Sequence, residues 1–129
     1  MKLFLALVFS FILCTTALGD YASDMKAASV EGKTWIVIVT NPPSCIWCRD
    51  LEAKFKDLEK AHKLNDVIIT KLHPNDPIVA LMNKELANED KIAMIPDWVI
   101  YKYTNGKFEY VNRIKGSISK DQILREIGR

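Results

Sequence analysis

Thr34-Trp35-Ile36-Val37-Ile38-Val39-Thr40-Asn41-Pro42-Pro43-Ser44-Cys45-Ile46-Trp47-Cys48 is the stretch on which the fold turns. Trp35 to Val39 is an unbroken apolar run rich in β-branched residues. Continuous rather than alternating apolar character suits a strand buried on both faces of a sheet. Asn41-Pro42-Pro43-Ser44 then breaks it. Beyond the break, Cys48, Leu51, Phe55 and Leu58 recur at spacings of three and four, one stripe of a helix expected from near Cys45 to about Lys63. Arg49, Asp50, Glu52, Lys56, Asp57, Glu59 and Lys60 fall on the rest of its surface, as a solvated face requires.

Working outward, Asp20 to Gly32 has the composition of a short amphipathic helix. Asp66 to Leu72 reads as a second strand. Asp76 is a good N-cap and Pro77 a good first residue for a helix to about Ala87. After Ile95-Pro96, Trp98 to Tyr103 reads as a strand. Asn105-Gly106 follows, both residues tolerating positive φ, so the chain should return as a hairpin through Phe108 to Arg113. Ser119 and Gln122 have the spacing of a capping box, with Ile118 and Ile123 as its hydrophobic staple, for a last helix from Lys120 to Ile127. A strand–helix–strand crossover makes the first two strands parallel, and the hairpin makes the last two antiparallel. The expected fold class is therefore α/β, a mixed central β-sheet flanked by helices.

Met1-Lys2, the apolar run from Leu3 to Leu13 and the small residues Ala17 and Gly19 have the order of a secretory signal, with cleavage expected after Gly19. The run is short for a membrane span of roughly 20 residues, and an uncleaved N-terminal anchor is the alternative. The division expected is 1–19 signal peptide and 20–129 a single domain, exported to a periplasm or secreted. The chain has 18 basic and 16 acidic residues, a formal charge of +2, which gives no support for nucleic acid or an anionic membrane as partner. Of its three cysteines, Cys14 falls in the signal segment, leaving Cys45 and Cys48. A bridge across so short a loop removes little entropy from the unfolded chain, so the pair is poorly placed to stabilise and well placed to react.

A C-x-x-C at the junction of a buried strand and a helix has a specific chemistry. The first cysteine sits where free backbone N–H groups and the helix dipole favour a thiolate. The second lies one turn on, on the same face but deeper. Attack by Cys45 on a substrate disulfide gives a mixed disulfide, which Cys48 resolves intramolecularly. Arg49 adds positive charge nearby. An inert disulfide and a metal site are the competing uses. Zinc wants four ligands, and His62 and His73, the only histidines, are further apart than the usual three to five residues or so. His62 is better read as a partly buried residue at the end of the helix stripe.

With these residues in place, the sequence from Thr34 to Arg129 resembles the thioredoxin superfamily. The resemblance is carried by the strand before Cys45-Ile46-Trp47-Cys48, by Ile95-Pro96 before the next strand, by the Asn105-Gly106 hairpin and by Gly116-Ser117-Ile118-Ser119-Lys120. It implies a cis peptide before Pro96, packed against the two cysteines. It further implies that Ile95 pairs with an extended substrate segment and that Gly116 lines the same groove. The chain departs from the pattern in three places. Val39 stands where thioredoxins bury an acid six positions before the first cysteine. Ser44 replaces the tryptophan before the motif, and Trp47 lies inside it. Trp47 either stacks on substrate or covers Cys48, whereas Trp35 and Trp98 read as core. Asp97 is a candidate substitute acid, weighed against an ordinary solvated residue at a strand start.

The function expected is an exported thiol–disulfide oxidoreductase acting on cysteine-containing proteins or peptides, with no bound cofactor and no metal. A redox partner must recycle the pair. Ile95 before Pro96 resembles the reducing members, so reduction is the direction expected. A disulfide oxidase or isomerase of the same fold, and a non-catalytic peptide-binding module, are the alternatives.

Overall fold

The structure, a computed structural model, describes residues 19–129. The expected signal segment and Cys14 thus lie outside the described residues, except Gly19, which opens the first helix. Helix α1 spans Gly19–Glu31 and strand β1 Thr34–Val39; a 3₁₀ turn at Pro42–Ser44 leads into α2, Ile46–Lys60. Strand β2 is Val67–Leu72 and helix α3 is Pro77–Glu85. A second 3₁₀ turn at Asn88–Asp90 precedes β3, Asp97–Thr104, then β4, Lys107–Lys115, and α4, Lys120–Glu126. Among the described residues no helix is long and apolar enough to cross a membrane.

The four strands lie in the order β2-β1-β3-β4, with β1 parallel to β2 and antiparallel to β3, and β3 antiparallel to β4. The buried run therefore takes a central position, and Trp35 to Val39 are all buried. Strand alternation sorts its side chains into two cores. Trp35, Val37 and Val39 join Tyr21 and Ala28 of α1 and Ile78, Val79 and Met82 of α3. Ile36 and Ile38 join Leu51, Phe55 and Leu58 of α2 and Ile123 of α4, with Trp98 and Ile100 of β3 on the same face. Trp35 and Trp98 are core residues, as expected.

One polar relay crosses the first core. The Trp35 indole N–H donates to Thr70 Oγ1 at 2.8 Å, and that hydroxyl donates to Asp24 Oδ2 at 2.6 Å. Three elements, β1, β2 and α1, are fixed by one buried hydroxyl.

Local chemistry accounts for the element ends. The Asp76 side chain accepts from Ile78 N at 2.9 Å, and the Ser119/Gln122 capping box is complete. Asn105 and Gly106 turn the hairpin with φ of 53° and 80°, the positive values of a type I′ turn. The helix of Cys45 ends at Lys60, short of Lys63. His62 adopts φ 58°, its N–H bonding Glu59 O while Lys63 N bonds Leu58 O, a Schellman ending that turns the chain so Leu64 can enter the core. His62 is consequently exposed, not part of the buried stripe. Helix α3 stops at Glu85 rather than Ala87, because Leu86 is extended.

The larger departure is in β4, which runs to Lys115 and carries a bulge. Tyr101 pairs with Tyr110 and Ile100 with Asn112, so Val111 is an extra residue. One inserted residue reverses the facing of everything beyond it. Ile114 packs into the α2–α4 core, Asn112 Nδ2 donates to Glu126 of α4, and Arg113 turns to the opposite face.

Thr70→Val should remove the relay while keeping shape, leaving the Trp35 N–H unpaired. A loss of about 1–3 kcal/mol is expected in urea unfolding of the oxidised protein.

A candidate redox site at the end of the sheet

Cys45 stands between the 3₁₀ turn and α2 as the N-cap of that helix, with extended φ, ψ of −140° and 112°. Its sulfur accepts from the Cys48 backbone N–H at 3.1 Å. An N-cap sulfur therefore occupies the place of a capping oxygen, where orphan N–H groups and the helix dipole favour negative charge. Cys45 and Cys48 form a disulfide, with Cα atoms 5.2 Å apart. Cys48 is only 1 % exposed, and Cys45 is half-buried. The outer sulfur is thus the one open to solvent, and the inner one lies behind it.

Ile95-Pro96 has a cis peptide bond, and the Ile95 carbonyl oxygen lies 3.7 Å from Cys45 Sγ. In the reduced state a thiol at that sulfur can donate to this carbonyl. Gly116 completes the rim: its N–H donates to Pro96 O at 2.7 Å, and its carbonyl accepts from Trp98 Nε1 at 3.0 Å. Gly116 holds φ 94° with open space where a Cβ would stand, so backbone conformation, not crowding, calls for glycine. Cys45, Cys48, Ile95, Pro96 and Gly116 are thereby brought together.

Trp47 is 62 % exposed. Most of the indole faces solvent, while Cys48 beside it in sequence is buried. Ile46 is similarly exposed, and so is Met94, beside Ile95, which sequence reasoning did not single out. Each of these apolar side chains is one residue from an atom of the Cys45–Cys48–Ile95 group.

Asp97, for which a solvated strand-start position was the alternative to a substitute acid, is buried. Arg113 Nε donates to its Oδ1 at 2.9 Å and the terminal nitrogen to Oδ2 at 2.6 Å, a bidentate pair. That hydrogen bonding, with the charge of Asp97, raises the Arg113 pKa further above its ordinary value. Asp97 is also the cross-strand partner of Val39, so a buried carboxylate occurs one strand over from the position where the resemblance led one to look.

Two further contacts fasten the site. Arg49 donates to Pro42 O at 2.8 Å, spending its guanidinium on the turn before the motif. Asp50 Oδ2 accepts from Lys54 Nζ at 2.8 Å and from Ser117 Oγ at 2.6 Å, joining α2 to the Gly116 loop. Among the described residues, no group of three or more His, Cys, Asp or Glu side chains is placed to hold a metal ion.

A C-x-x-C at the β1–α2 junction, facing a cis proline across a mixed β2-β1-β3-β4 sheet, defines the thioredoxin fold, and the chain has it. Solved thioredoxins are similar to it in structure. One from Thermus thermophilus matches at TM-score 0.63 and 20% identity, over 83% of this chain and 80% of that one. The germline-specific thioredoxin Deadhead of Drosophila melanogaster matches at 0.58 and 17%, over 84% and 89%. A Fasciola hepatica thioredoxin matches at 0.54 and 21%, over 83% and 90%. No protein-family model matches the sequence, and none of the curated proteins does.

The hydrogen bonds from Lys54 and Ser117 hold the Asp50 carboxyl below its ordinary 3.8. A lowered folded value stabilises above the unfolded value, and the contribution is lost as pH falls through the folded one. The stability excess of the native chain over Asp50→Asn should therefore be constant above about pH 5 and shrink below about pH 4, read from urea midpoints across that range.

Proposed function

We propose that this chain is an exported thiol–disulfide oxidoreductase that reduces disulfides in protein or peptide substrates. The single observation that carries this is the Cys45 sulfur at the α2 N-terminus. It accepts the Cys48 N–H, is open to solvent on one side and meets the Ile95 carbonyl on the other. In the dithiol form the Cys45 thiolate attacks one sulfur of the substrate disulfide, and the other sulfur leaves as a thiolate. Cys48, deprotonated, then attacks Cys45 Sγ, closing the Cys45–Cys48 disulfide and releasing the second substrate thiol. Two electrons pass from the protein to the substrate, and an external dithiol must return them.

An extended substrate segment pairs with the backbone of Ile95 beside Pro96, and Gly116, which carries no side chain, leaves the groove open. Ile46, Trp47 and Met94 supply exposed apolar surface around the sulfur. Export is read from the order of charge, apolar run and small residues up to Gly19. Cleavage there leaves Tyr21, whose ring is buried, as the second residue of the mature protein.

Cys45→Ser is expected to abolish insulin-disulfide turnover while the variant stays folded; retained turnover overturns the reading. Equilibration in glutathione buffers should place the couple near about −270 mV, where thioredoxin sits, whereas a value near about −120 mV would make the chain a disulfide donor. The exported polypeptide should begin at Asp20, as its intact mass will report.

A further inference from the structure

We propose that Arg113 is a positioning residue for the loop that brings Ile95 and Pro96 to the disulfide. By holding both ends of that loop, it sets how well an extended peptide docks beside Cys45. The substrate half of this rests on the oxidoreductase reading; the loop half rests on geometry alone.

The guanidinium makes contacts at two places in the chain. Its fork grips the carboxylate of Asp97, directly after Pro96, and its remaining nitrogen donates to the backbone carbonyl of Asp90. Asp90 closes the 3₁₀ turn before the loop, so one side chain ties the start of the segment 90–97 to its end. Inside that segment, Ile92 N donates to Asn83 Oδ1 at 2.8 Å, which fastens its first half to α3. Ile95, whose carbonyl meets Cys45 Sγ, lies between that tie and Asp97.

Packing does only part of this work. Ile92 and Ile95 pack against the core shared by β1, α1 and α3, and a cavity of about 330 Å³ adjoins Ile92, with Val39, Met82, Leu86, Val99, Asp97 and Arg113 also in its wall. Beside that unfilled volume a directional, bidentate contact fixes the end of the segment more tightly than apolar contact can. A stability role is a weaker account. A buried ion pair often contributes no more than apolar residues of the same volume would, and stability gives no reason for the third contact, to Asp90.

The bulge supplies the independent observation. Had the ladder run on unbroken through Val111, Arg113 would stand opposite Trp98 and point to the α2–α4 side, away from Asp97; the bulge instead sets it opposite Val99, on the Asp97 face. The same interruption turns Asn112 and Ile114 to the α2–α4 side and Arg113 to the Asp97 face, and bulges that re-aim side chains are found beside active sites.

Two variants test the proposal. Arg113→Lys keeps a positive charge against Asp97 but cannot fork to both partners. Asp97→Leu/Arg113→Met replaces the pair by apolar residues of similar size, so a folded protein is expected even if the single variant fails. Hydrogen exchange of the segment 91–96 should speed by about tenfold in either variant while the strands keep their protection. With insulin as substrate, KM should rise severalfold. In Arg113→Lys, which keeps Asp97, turnover of 5,5′-dithiobis(2-nitrobenzoate), too small to use the groove, and the potential of the Cys45–Cys48 couple should stay unchanged.

Native exchange in 91–96, or an unchanged insulin KM, in a folded variant overturns the proposal. So does an equal loss with both substrates in Arg113→Lys, which would mean general damage to the site. If the native protein turns over neither disulfide, the oxidoreductase reading fails by itself. The exchange measurement then still decides whether Arg113 positions the loop.

Discussion

The approach of the Ile95 carbonyl to Cys45 Sγ joins residues 50 apart in sequence, and the arrangement of the candidate site depends on it. What enforces it is backbone register. Val39 pairs with Asp97 in an antiparallel ladder, so the end of β1 and the start of β3 lie side by side at one end of the sheet. The chain leaves β1 toward Cys45 and enters β3 from Pro96, and the two segments have to meet. Burial of β1 on both faces holds that register, since a slip of one residue would exchange the contents of the two cores.

That constraint was legible in the sequence because it is written in apolar pattern. The unbroken run Trp35–Val39 pointed to a central strand. The stripe Cys48, Leu51, Phe55, Leu58 pointed to the helix that follows, and all four residues are buried. Turn and cap chemistry was equally plain at Asn105-Gly106, Asp76-Pro77 and Ser119/Gln122, where only a few residue types satisfy the backbone. The two cysteines could be assigned outer and inner roles from helical spacing alone. The neighbourhood of Pro96 and Gly116 came from the resemblance, not from physical pattern, and the geometry around Cys45 agrees with it.

The remainder was hidden for identifiable reasons. A bulge leaves no mark on composition, so β4 was expected to end at Arg113 and the facing of that residue could not be read. Asp97 resembled a solvated strand-start residue because its partner lies on another strand, reachable only after the bulge. His62 continued the helical spacing, and nothing in its side chain announced a left-handed φ; the need to bring Leu64 inward decided it. Met94 lay outside any periodic element, so its exposure could be known only once the loop was placed.

The bulge at Val111 has one more consequence, which concerns the company the protein keeps. β4 is an edge strand, and its outer side carries N–H and C=O groups that no other strand of the sheet takes. Tyr110 and Val111 on it are exposed and apolar, the composition that invites a second copy to extend the sheet. The extra residue breaks the even spacing of those groups and twists the edge, and Lys107, Glu109 and Lys115 place charges along it. A neighbouring chain meets an interrupted, charged border instead of a straight template. The same irregularity that aims Arg113 inward therefore also discourages sheet-to-sheet association from outside.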